Sequence, residues 1–130
     1  MEKTITVDGR EIILKSMGNT ALIYGSQFNH DFFADLMKLA NVMPTDKNGK
    51  VKDPEKWTDE DLDKLNFTPI YNFVWATAKT ADSKIPEPME WFGTFEEFPI
   101  MEIMPEIQEL MMVSVQGKKG LKTSTKQTKR

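Results

Sequence analysis

With 130 residues, an apolar fraction of 39% and no cysteine, the chain has material for one domain with a modest core. It has none for a disulfide, a thiolate nucleophile or a Cys-based zinc site. The net charge of −3 hides an asymmetry: six of the 17 basic residues and none of the 20 acids fall in residues 116–130, leaving a body of −9 and a tail of +6.

Met1-Glu2-Lys3 leads straight into a polar strand with no apolar signal region. No apolar run approaches the roughly 20 residues that span a bilayer. A soluble, unexported chain with no membrane partner is expected.

The opening TITVDGREIILK predicts a β-hairpin over 3–15. Ile5 and Val7 alternate with polar residues, and Asp8-Gly9 is a two-residue turn that needs positive φ. Met17-Gly18-Asn19 breaks the strand, and Asn19 or Thr20 can cap a helix. From Thr20 to Val42 the apolar spacing is helical. Ala21, Leu22, Tyr24 and Phe28 form one group; Phe32, Phe33, Leu36, Met37, Leu39 and Ala40 form another on one face. Gly25 and Asn29-His30-Asp31 divide the region into two helices, with Asn29 or Asp31 as a cap; one continuous bent helix is the alternative.

Residues 44–57 read as a loop, with two prolines, Asn48-Gly49 and alternating charge. A connection of this length is often functional or mobile. Thr58 caps the next helix, whose first turn carries Asp59, Glu60 and Asp61. Thr68-Pro69 opens a stronger helix in which Ile70, Val74 and Ala78 line one side, and Tyr71, Phe73 and Trp75 widen the apolar surface. That helix is expected at the centre of the core.

Residues 83–88 form an extended break, because each residue before a proline is pushed from helical geometry. Thr94-Phe95-Glu96-Glu97 matches a capping box, and Pro99 limits the helix it would start to one or two turns. Pro105 starts the last helix, to about Val115, with Ile107, Leu110 and Met111 facing inward; Gly117 and Gly120 end it. The remaining lysine-rich segment lacks the apolar surface to fold alone. The expected class is α+β, mostly α. A hairpin packs on a small helical domain (1–115, with helices within 20–42, 58–82 and 94–115), followed by a disordered basic tail over 116–130.

Catalytic motifs are scarce. Asp59-Glu60-Asp61 and Glu96-Glu97 are paired carboxylates of the kind general acid–base catalysis uses. Both sit in first turns of predicted helices, where the dipole alone favours acids. His30 beside Asp31 has no serine or cysteine motif to serve, and one histidine cannot build a metal cluster. No phosphate-binding glycine loop is present. No enzyme, cofactor or metal is expected. The lysine tail could neutralise phosphates without reading sequence. An acidic body repels that polymer, however, and the aromatics do not interleave with the lysines.

Between Met89 and Met112 lie five of the nine methionines, with Trp91, Phe92, Phe95 and Phe98. Methionine is unbranched and polarizable, and suits surfaces that adapt to several apolar partners. Side chains at helical spacing are more often core, but Pro86, Pro88, Pro99 and Pro105 interrupt any long buried stripe. Trp91, Phe92, Phe95, Phe98, Met101, Met104, Met111 and Met112 are the candidate protein-binding residues.

ITVDGREIILK, TPIYNFVWATAKTADSKIPEPMEW and FEEFPIMEIMPEIQELMMVSV with the lysine tail resemble the tail assembly chaperones of long-tailed phages and prophages of Gram-positive bacteria. The resemblance runs over most of residues 3–123 and is densest over 69–119. It implies a non-catalytic protein of the host cytoplasm, absent from the virion, that binds and solubilises the tape measure protein. It also implies help in recruiting the tail tube protein, mainly through a longer form made by translational frameshifting near Lys118-Lys119-Gly120. The family has no fixed catalytic residues to carry over. A nucleic-acid-associated accessory protein acting through the tail is the runner-up; a small hydrolase using the carboxylate pairs is the third reading.

Overall fold

The structure, a computed structural model, describes residues 1–115. The expected ending of the last helix at Gly117 and Gly120, the disordered tail and the frameshift position lie outside the described residues. The fold is α+β and mostly α: an N-terminal hairpin packed against helices.

Strands β1 (Glu2–Val7) and β2 (Arg10–Lys15) pair antiparallel, with Val7 opposite Arg10 and Glu2 opposite Lys15. Asp8 and Gly9 take φ of 55° and 75°, the two positive values that a tight turn matching the sheet twist requires. Ile5, Val7 and Leu14 point inward and are buried, while Ile13 faces out, 48% exposed.

Two separate helices come next, α1 (Thr20–Phe28) and α2 (Phe32–Val42), so the continuous bent helix is excluded. Asn29 ends α1 in the left-handed region at φ 56°, and the Asp31 carboxylate starts α2 by accepting from Ala34 N–H at 2.7 Å. The apolar groups are narrower than their spacing predicts. Leu22 is 74% exposed and Met37 47%, and Ala40 is also exposed; the faces actually buried are Thr20 and Tyr24 on α1 and Phe32, Leu36 and Leu39 on α2. Neighbouring elements cover one stripe of each helix, and an apolar residue beyond it stays wet.

The 44–57 connection is folded back on itself. Thr45 bridges Val51, and the Asp46 carboxylate accepts from the N–H groups of Asn48 (2.8 Å) and Lys50 (3.0 Å). After a 3-10 turn at Pro54–Lys56, Trp57 is buried with its indole N–H donating to the Lys52 carbonyl. Helix α3 (Asp59–Lys64) starts with a complete capping box between Thr58 and Asp61.

Helix α4 (Thr68–Ala81) is the centre of the core. Ile70 and every residue from Phe73 to Ala78 are buried, with β2 on one side and α1 on another. Its buried polar atoms are satisfied: the Thr77 hydroxyl donates back to the Phe73 and Val74 carbonyls, and the Trp75 indole to the Pro86 carbonyl.

The Thr94 capping box is the clearest correction. The short helix lies earlier, as α5 (Pro88–Phe92), with proline at its start, and no helix begins at Thr94. The Thr94 hydroxyl points back to the Trp91 carbonyl (2.7 Å) and accepts from Arg10, closing the end of α5. The Glu96 N–H is taken by the Asp8 carboxylate of the hairpin turn (3.1 Å). The final helix, α6, spans 104–115, with Ile107, Leu110 and Met111 buried as its spacing predicts.

Met104 is fully buried and Met89 is 90% exposed, though both belong to the same methionine-rich stretch. Met104→Ala is therefore expected to cost about 2–5 kcal/mol in urea unfolding, whereas Met89→Ala should stay within about 0.5 kcal/mol. Equal effects would contradict this division.

Candidate functional site

The eight candidate binding residues do not share one surface. Trp91, Phe95, Met104 and Met111 are buried; Phe92, Phe98 and Met101 are half-buried; Met112 is 55% exposed. Trp91 meets Phe92 and Phe95 edge to face, with centroids 4.9 and 5.2 Å apart. Arg10 covers the Phe95 ring, its guanidinium 3.8 Å from the centroid. Trp91, Phe95 and Met104 thus anchor the 85–115 segment to the domain rather than forming an open protein-binding surface. Four prolines and the hairpin contacts fold that segment into short pieces, with Trp91, Phe95 and Met104 turned inward.

What remains open is a groove that the sequence only half reveals. One wall is α6, which presents Gln108, Met111, Met112 and Val115. The other is built by Leu36 and Ala40 of α2, Met43 just beyond it, and Thr45, Gly49, Lys50 and Val51 of the folded-back connection. The groove encloses about 460 Å³ and is mostly apolar. On α6 the spacing 108, 111, 112, 115 is one helical face, legible in sequence. The α2 and loop wall is not, because nothing local distinguishes Met43, which lines the groove, from Met37, which faces solvent. Gln108 Nε2 lies 4.0 Å from Met43 Sδ and links the two walls. Two thioethers at Met43 and Met111, with a third at the Met112 rim, give the groove an adaptable lining.

A second cavity, of about 480 Å³, is more polar and lies between α1, α2 and the start of α4. Phe28, His30, Asp35, Lys38, Lys64 and Asn72 are among its lining residues. Here His30 faces Asp35 rather than the adjacent Asp31, whose carboxylate is committed to capping α2. Its Nδ1 lies 3.3 Å from Asp35 Oδ2, the oxygen that accepts the Tyr24 hydroxyl at 2.6 Å. Burial pushes the Tyr24 phenol well above its ordinary value; the Asp35 hydrogen bond and charge add to the rise, against a smaller effect of Asn72. Tyr24 and Asp35 are both buried, so the pair supports the α1–α2 junction, while His30 is largely solvated.

The carboxylate pairs sit on the surface. Asp61 closes the capping box, and the backbone N–H of Thr58 holds its carboxyl below the usual range. Glu96 and Glu97 are exposed. Among the described residues, no three His, Cys, Asp or Glu side chains are grouped to hold a metal ion.

The Tyr24 shift has a definite sign. With its folded-state value above the unfolded one, the neutral phenol stabilises the fold fully below about pH 10, and this contribution fades as pH climbs towards the folded-state value. In a Tyr71→Phe variant, where Tyr24 is the sole tyrosine, tyrosinate absorbance should develop only beyond the ordinary tyrosine range, and stability should decline as it does so. Titration at the ordinary value would contradict the buried pairing. Comparison with family models, curated proteins and solved structures gives no match.

Proposed function

We propose that this chain is a non-catalytic tail assembly chaperone of long-tailed phages or prophages of Gram-positive bacteria. It holds an amphipathic helical segment of the tape measure protein in the groove between α2 and α6. The observation that carries the reading is that groove: about 460 Å³, mostly apolar, lined by methionines from two walls and open to solvent at Met112. A long helical client exposes repeated apolar stripes before assembly, and a pliable groove can cover such stripes in several registers. The acidic body keeps a loaded complex soluble.

On this reading the protein works in the host cytoplasm and is left out of the finished virion. A longer, frameshifted form helps bring tail tube protein to the client. The resemblance of ITVDGREIILK, the α4 sequence and the 95–115 sequence to that family supports the assignment. The nucleic-acid alternative depends on residues 116–130, and no observation among the described residues favours it over the groove.

Co-expression with a tape measure protein of such a phage should raise that protein's soluble yield. Ala40→Glu and Met112→Glu place a charge at the groove edge on exposed positions. Each should weaken client retention about tenfold while leaving the fold intact by circular dichroism. An unchanged client yield with the unaltered protein would sink the assignment. Full activity of both variants would move the client off the groove.

A further inference from the structure

Residues 85–115 carry seven carboxylates and no lysine or arginine. One of the seven, Glu109, pairs with Lys3 at 2.8 Å. The other six, Glu87, Glu90, Glu96, Glu97, Glu102 and Glu106, have no ion-pair partner among the described residues, and all but Glu106 are exposed. Along the sequence these charges alternate with the side chains of a second apolar surface that shares no residue with the groove.

Its centre is an aromatic triangle. Phe92 and Phe98 stand 5.0 Å apart edge to face, and Tyr71 lies 5.3 and 6.1 Å from them. All three rings are half-buried, so each keeps part of its surface in water. Met89, one turn before Phe92 on α5, is 90% exposed, the most open of the large apolar side chains among the described residues. Half-buried Met101 comes three residues after Phe98. The platform is held firmly from below by Trp91, by the Thr94 bond that closes α5 and by the Glu96 N–H bond to Asp8.

An apolar ledge built on a segment that carries charge of one sign selects its partner by complementarity. The body's net −9 repels anionic polymers and the acidic body of a second copy alike. A helix with Leu or Ile on one face and Lys or Arg flanking it would meet both requirements: aliphatic side chains on Met89, Phe92 and Phe98, cations on the glutamates. We propose that this ledge docks a basic amphipathic helix of a partner protein. The inference does not depend on the client assigned to the groove.

The test uses the full chain and a fluorescein-labelled model helix of leucine and lysine, with a leucine–glutamate helix of the same pattern as control, monitored by fluorescence anisotropy. The lysine helix should bind, and added NaCl should weaken it. Glu90→Lys, Glu97→Lys and Glu102→Lys together should reduce affinity about tenfold, as should Met89→Ser combined with Glu90→Lys. Glu55→Lys, Glu60→Lys and Asp63→Lys together change net charge equally at another surface and should leave binding nearly intact. The proposal is overturned if the two triple variants weaken binding equally, or if the glutamate helix binds as well as the lysine helix. Self-association that the Glu90 triple variant abolishes would also overturn it, by making a second copy the occupant.

Discussion

A helix buried at every position from Phe73 to Ala78 cannot be satisfied by one neighbour, because successive residues point around the whole circumference. Helix α4 must therefore be surrounded, and the rest of the domain is arranged to do it. The hairpin offers Ile5, Val7 and Leu14, α1 offers Tyr24, and α2 offers Phe32, whose ring stacks on Phe73 with centroids 5.8 Å apart. Polar bonds fix the approach: Thr20 on α1 meets Thr80 on α4 at 2.9 Å, and Trp75 reaches the carbonyl of Pro86.

Enclosing α4 also decides the fate of the methionine and aromatic stretch. Trp91, Phe95 and Met104 are spent on the core, and the prolines let the chain bend sharply enough for them to reach it. Because α6 then returns beside α2, a channel is left where the two walls do not close, and the folded-back 44–51 connection forms its floor and side. The groove is thus a by-product of packing around one helix, lined by whichever residues face the gap. The aromatic ledge arises the same way, from side chains on the outer surface of α5 and the 98–101 turn. The exposed acidic residues of the same segment, on the proposed reading, select its partner.

Local chemistry was legible in the sequence. Asp8-Gly9 specified the hairpin turn, Asn29 and Asp31 the break between α1 and α2, Thr58 the start of α3, and Pro69 and Pro105 the openings of α4 and α6. Each is a backbone requirement met within a few residues. Position relative to the core was less legible. Leu22 and Met37 match the helical period yet face water, because no neighbouring element among the described residues covers them. Thr94 carries a capping signature, but its hydroxyl serves α5 and Arg10, a residue 84 positions away. Half of the groove was invisible for the same reason: Leu36, Met43 and Val51 join α6 only in the folded chain.

The most direct test of this account is methionine methyl NMR on the full chain, with a soluble paramagnetic agent and then with a tape measure segment added. The Met104 methyl should resist broadening while those of Met89 and Met112 broaden strongly, and the client should shift Met43, Met111 and Met112 but not Met104. Uniform broadening across the 89–112 methionines, or client shifts that bypass Met43 and Met112, would contradict both the division of the stretch and the assignment of the groove.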